Sequence, residues 1–240
     1  MLKGLILKFY IIFLPCIVLF CSSQSASSIE IHGHQVANLI EEDGAGVYQE
    51  LLTKLTKRFE LEVAILSITP MKRGRVYFEK DKRSCRIDGE GIFGDWAIQS
   101  QPLGGYRMHI MNLKSQPIIR TVSELNPTAK LGGLLGLEMA YKNTLIEPFE
   151  IELVEHERQN IEKLKFGRIE ALLGFVPDYN RYLDQLQFDK NLVLLEGEDR
   201  IYCHNTERGR SYIESFNNAL EEMRRDGSYK EIMGTFYLED

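Results

Sequence analysis

Hydrophobic positions along the 240-residue chain follow two alternating periods. "SSIEIHG" places Ile29 and Ile31 on one side of an extended segment, the alternation of a half-buried strand. "GAGVYQELLTKLTKRFE" then changes period. Val47, Leu51, Leu55 and Phe59 recur every four residues and form one apolar helix face. "LEVAILSI" returns to a strand. "TPMKRGRVYFEK" predicts a helix, with Thr69 as cap and Pro70 at its first position, and "SCRI" a short strand. This alternation of strand and helix predicts an α/β fold built on a parallel sheet with crossover helices.

The middle of the chain is less periodic. "DGEGIFGDWAIQSQPLGG" is Gly-rich and holds the only tryptophan, Trp96; "YRMHIMNL" is an extended run. After "RTVSELNPTAKLGGLLG" a second series begins. "FEIELVE" predicts a strand, "ERQNIEKLKFG" a helix ended by Gly167, and "RIEALLGF" a strand. "PDYNRYLDQL" predicts a helix with Tyr179, Tyr182, Leu183 and Leu186 on one face, and "NLVLLEG" and "RIYCHN" two further strands. The chain closes on two amphipathic helical patterns. Phe216, Leu220 and Met223 stripe the first, Gly227 ends it in a left-handed turn, and Ser228 caps the second, whose face is Tyr229, Ile232, Met233 and Phe236.

The N-terminal stretch changes the picture. Lys3 and Lys8 precede an apolar run from Phe9 to Phe20, and small polar residues follow, the pattern of a secretory signal peptide over residues 1–27. A lipoprotein reading through Cys21 ranks behind it, because Phe20 is too bulky to precede a lipidated cysteine, and a permanent anchor ranks third. Removing Lys3 and Lys8 takes the formal charge from −6 to −8. That acidic balance argues against nucleic acid as a partner. Cys16 and Cys21 fall in the signal. Cys85 and Cys203 remain, either as one disulfide of an exported chain or as two buried thiols.

Four stretches carry a resemblance to a known family: "GAGVYQELLTKL", "PMKRGRVYFEKDKRSC", "LKFGRIEALLG" and, most specifically, "FNNALEEMRRDGSYKEIMGTFY". In this order they resemble the family 3 extracellular solute-binding proteins, the receptors of polar amino-acid ABC transporters, over residues 29–238. Glu170 stands where that family usually has Asp. The resemblance implies a two-lobed type II periplasmic-binding-protein fold, with two hinge strands and a ligand cleft between the lobes. One lobe would comprise residues 28–113 and 203–240 and the other 114–202. It implies a periplasmic, monomeric receptor without a cofactor, which closes on a small polar solute and delivers it to an inner-membrane ABC permease. It also makes the strands of Cys85 and Cys203 neighbours. Two alternatives stand beside transport: a dehydratase-like enzyme on the same fold, with Glu138 as general acid or base, and a sensory input protein for a separate membrane partner.

Candidate ligand-binding residues follow from both readings. Arg73, at a helix start, is suited to bidentate contact with a carboxylate or to a solvated place beside Lys72 and Arg75. Arg107 and His109 share a strand face, and the resemblance aligns His109 with the family's carboxylate-binding Arg. Glu138 lies in a turn where the family offers N–H groups and hydroxyls to a carboxylate, and its own charge would repel one. Phe175 stands where amino-acid binders carry an Asp, while Asp178 reads as a helix cap. His32 and His34 alternate on the first strand. A metal site with His109 lacks a completing ligand, so His34 is expected in the cleft as a hydrogen-bonding group. Trp96 and Tyr106 are candidates for stacking, or for ordinary packing under a loop.

Overall fold

The structure, a computed structural model, describes residues 28–89, 93–142 and 144–236. The signal segment, with Cys16 and Cys21, lies outside the described residues. In chain order the elements are β1 (Ser28–Gly33), α1 (Val47–Phe59), β2 (Val63–Ile68), α2 (Met71–Lys80), β3 (Cys85–Asp88), β4 (Ala97–Gln99) and β5 (Gly104–Leu113). Next come β6 (Lys130–Leu134), α3 (Glu138–Tyr141), β7 (Glu150–Val154), α4 (Glu157–Lys165), β8 (Ala171–Phe175) and α5 (Val176–Tyr179). The chain finishes with β9 (Leu186–Gln187), β10 (Val193–His204), α6 (Glu207–Arg225) and α7 (Ser228–Met233).

The strands follow the order β2-β1-β3-β10-β5-β8-β6-β7, with β4 added on β10 and β9 on β5. Pairing is parallel within each series, β1 with β2 and β3, and β6 with β7 and β8. The parallel expectation fails at the join, where β10 runs antiparallel to β3, β4 and β5, and β5 antiparallel to β8. Buried apolar residues accordingly form two clusters. The first gathers Ile29, Ile31, Leu51, Leu55, Phe216 and Leu220 around β1, α1 and α6, and the second gathers Met108, Ile110, Leu131, Leu172 and Leu173 around β5, β6 and β8. β5 and β10 are the long strands that cross from one cluster to the other.

The closing helices pack as their stripes require. Phe216, Leu220, Met223, Tyr229, Ile232 and Met233 are all buried in the first cluster. Thr206 caps α6, its hydroxyl accepting from the N–H of Gly209 at 3.1 Å. Gly227 adopts φ +83°, a left-handed value natural to glycine. Ser228 is the first residue of α7 and not its cap; its N–H and hydroxyl donate to Asp226 Oδ1 at 2.9 and 2.6 Å.

Three other expectations change. "PDYNRYLDQL" forms only the short α5 and a 3₁₀ turn, and Leu186 belongs to β9. "NLVLLEG" and "RIYCHN" are one strand, β10. Thr69 does not cap α2; Pro70 holds that position, and the Thr69 hydroxyl has no hydrogen-bond partner.

Candidate ligand cleft

The C-terminal ends of β1, β3, β6 and β8 converge where the two clusters meet. Crevices outside the carboxyl ends of parallel strands are where α/β sheets bind ligands. Here they enclose a cavity of about 60 Å³. From the first cluster's side come His34 and Val36 after β1, Met71 of α2, Arg86 and Asp88 of β3, and Gly89 just after it. Facing them are Leu137 and Ala140 of the α3 turn, Phe175 of β8 and Asp178 of α5, with Tyr106 and Asp199 from the crossing strands.

Local sequence explains several of these positions. Strand alternation sends Arg86 and Asp88 to the cavity face of β3, while Cys85 and Ile87 enter the first core. Tyr106 lies across the crossing strands because Gly89 and Gly197 give it room. A Cβ at either glycine would come within 2.2 or 2.3 Å of the Tyr106 ring or hydroxyl. The Tyr106 hydroxyl donates to Gly89 O at 2.7 Å, and its ring meets Phe175 edge-on at 5.2 Å.

The electrostatics are dominated by buried carboxylates. Arg86, 1% exposed, donates from Nε to Asp88 Oδ2 at 2.7 Å, and Arg75 reaches the same oxygen at 3.4 Å. Asp199 accepts a 2.8 Å hydrogen bond from the Tyr48 hydroxyl. Burial pushes the Asp199 carboxyl up to about 6, against the Tyr48 hydrogen bond and with Asp88 adding repulsion. Burial likewise raises Asp178 well above the carboxylate range, and Glu157 and Asp199 add to it. Asp178 has no hydrogen-bond or ion-pair partner among the described residues. His34 is driven down to about 4 by burial, with Arg86 assisting, so its imidazole is neutral; its Nδ1 has no partner.

Two ion pairs bridge the rims. Lys72 of α2 meets Glu138 of α3 at 2.6 Å, and Arg181, just after α5, meets Glu41 at 3.1 Å. Glu138 also accepts from the N–H of Gly136 at 2.9 Å. Burial raises its pKa, but the hydrogen bonds from Lys72 and the backbone outweigh that and hold it below the ordinary value. Gly136, at φ +104°, packs against Met71 from across the cleft. The lobes are therefore in contact.

Of the eight residues singled out from sequence, His34, Tyr106 and Phe175 line the cavity. The other five lie elsewhere. Arg73 is on the exposed face of α2. Trp96 packs tilted against Phe78 of α2 and His204 of β10 and edge-on against Phe93. Arg107 is exposed and pairs with Glu196 of β10 at 3.3 Å. His109 is buried over the Phe188 ring, with Nδ1 3.0 Å from Leu192 O. Glu138 stays at the rim, engaged with Lys72 and Gly136. Sequence reasoning missed Arg86, Asp88 and Asp199 and read Asp178 only as a cap. A strand ending Arg-x-Asp-Gly was the available signal for the first two. No group of three or more His, Cys, Asp or Glu is arranged to hold a metal among the described residues. Away from the cavity, Cys85 and Cys203 are cross-strand partners joined in a disulfide.

No family model matches the chain, and no curated protein matches it in sequence. Solved structures do. An ancestral amino-acid-binding protein, a precursor of cyclohexadienyl dehydratase, is 18% identical with a TM-score of 0.71, covering 88% of this chain and 95% of its own. The GluR0 ligand-binding core of Nostoc punctiforme, in complex with L-glutamate, is 14% identical with a TM-score of 0.71, covering 87% and 99%. An amino-acid ABC transporter substrate-binding protein of Streptococcus pneumoniae, bound to L-arginine, is 14% identical with a TM-score of 0.68, covering 87% and 93%. Structural neighbours of this chain thus include amino-acid ABC transporter substrate-binding proteins. The fold is the two-lobed type II periplasmic-binding-protein fold.

Proposed function

We propose that the protein is a periplasmic solute-binding receptor, exported by residues 1–27, that closes its lobes on a small polar solute and delivers it as a monomer to an ABC permease. The observation that carries this reading is the cavity itself. It is small, is lined from both lobes at the strand ends, and is bridged at its rim by Lys72–Glu138 and Arg181–Glu41. Solute binding by the structural neighbours supports it. The lobes would comprise residues 28–113 with 203–240, and residues 114–202. His34, Tyr106 and Phe175 are proposed as ligand contacts, joined by Asp178 and Asp199.

The enzyme alternative assigned acid–base work to Glu138. Its carboxylate is instead occupied by Lys72 and the Gly136 N–H, which favours binding over catalysis.

The test is thermal unfolding of the purified protein with amino acids, amines, carboxylates and sugars. A ligand at about a hundred times its Kd adds about 2.7 kcal/mol to stability, roughly 5–10 °C in Tm for a chain of this size. An unmoved Tm across all classes would count against the receptor.

A further inference from the structure

We propose that the solute is a small organic cation, an aliphatic ammonium without a carboxylate; the inference rests on the receptor reading and names the ligand class of the same cleft. Three aspartates line the cavity, Asp88 and Asp178 buried and Asp199 half-buried, and of the three only Asp88 has arginine partners. Asp199 has the neutral Tyr48 hydroxyl as its side-chain partner among the described residues. Asp178, 9% exposed, faces the cavity with no partner among the described residues. A buried carboxylate left unpaired is costly, and a cation arriving from solution is what relieves it.

Of the groups that could receive a carboxylate, one is taken, one is tucked away and one is uncharged. Gly136 offers its N–H at the turn into α3, and Glu138 fills that place with its own side chain at 2.9 Å. A ligand carboxylate there would displace Glu138 and face its charge. Arg86 directs Nε to Asp88, and its unpartnered Nη1 packs under α2, 2.7 Å from where a Cβ on Gly74 would stand. His34 is held neutral at neutral pH.

Size and polarity complete the description. At ~10–15 Å³ for each water-sized occupant, the cavity takes roughly four to six. Val36, Met71, Leu137 and Phe175 make part of its wall apolar. A short alkyl chain ending in an ammonium matches this, the chain against the apolar wall and the ammonium at Asp178 and Asp199.

The experiment is calorimetric titration of the purified protein at pH 7.5 with n-butylamine, 1-butanol, butyrate and 2-aminobutyrate. The expected result is saturable one-to-one binding of n-butylamine at least tenfold tighter than the other three. Asp178→Asn should weaken it about tenfold or more, because a charge-assisted hydrogen bond becomes a neutral one. That variant is isosteric and replaces an unpartnered acid, which burial disfavours as an anion, with a neutral amide, so its Tm should equal or exceed that of the parent, which separates lost binding from lost folding. Tighter binding of 2-aminobutyrate or butyrate would overturn the cation and leave the receptor standing. Unaltered n-butylamine affinity in Asp178→Asn would overturn the assigned site. No binding of any of the four overturns the proposal, and if the wider thermal panel is also flat the receptor reading falls with it.

Discussion

Breaking the bond between Cys85 and Cys203 should cost the protein several kcal/mol without touching the cleft. The two cysteines are 118 residues apart, and the loop they close contains every buried member of the second core cluster. In the chain-entropy account, closing a loop of that length removes about 16 cal/mol/K from the unfolded ensemble, about 5 kcal/mol at 25 °C. Measured losses for native disulfides run at about 2–5 kcal/mol. With a urea m-value of about 2–3 kcal/mol/M, the midpoint should fall by roughly 1–2 M. The assay is urea unfolding of the parent with and without reductant, and of the Cys85→Ala/Cys203→Ala double variant without it. Reductant should shift the parent and leave the variant alone. A parent midpoint indifferent to reductant, with both cysteines alkylated in denatured, unreduced protein, would refute the reasoning.

Three further outcomes are expected. Asp199 and Asp178 bind protons more tightly folded than unfolded, so their contribution to stability grows as pH falls from about 7 toward 4, up to ~3 kcal/mol for Asp199 moved from 3.8 to about 6, while His34, moved from 6.5 to about 4, opposes it over the same window; the parent should therefore gain stability relative to Asp199→Asn as pH falls. A difference in Tm between parent and Asp199→Asn that stays constant from pH 7 to pH 4 contradicts this. Phe216→Ala, at a fully buried site between α6 and the first core, should cost about 3–5 kcal/mol by chemical denaturation. Glu138→Gln should barely alter unfolding, since the pair with Lys72 is partly exposed, yet weaken ligand by about two- to fivefold in a binding titration, because that pair spans the closed cleft.

Much of the fold was legible because local pattern and global role agree. The stripes of α1 and α6 and the glycine stop at Gly227 are settled by nearby residues. β10 was not legible as one strand. Between the two cores it passes through exposed Glu196, Gly197 and exposed Glu198, and that polar middle reads as a break. The site was harder. Alternation placed Arg107 and His109 on one side of β5, but only long-range packing shows that Arg107 meets Glu196 and that His109 is covered by Phe188. Asp199 matters through a partner far along the chain, Tyr48, which no local spacing encodes, whereas Arg86 pairs with Asp88 two residues on and left a local trace at the end of β3. His34, Tyr106 and Phe175 were found because they sit at or near strand ends, where the resemblance directs attention.

The central claim is that two lobes close on a solute, and small-angle X-ray scattering reads closure without a label. Scattering should be recorded from the purified protein alone and with each ligand class at saturation. The account predicts a smaller radius of gyration with the class that raises Tm, amines before all others, and no change with the rest. An identical scattering profile with a ligand shown to bind would contradict it.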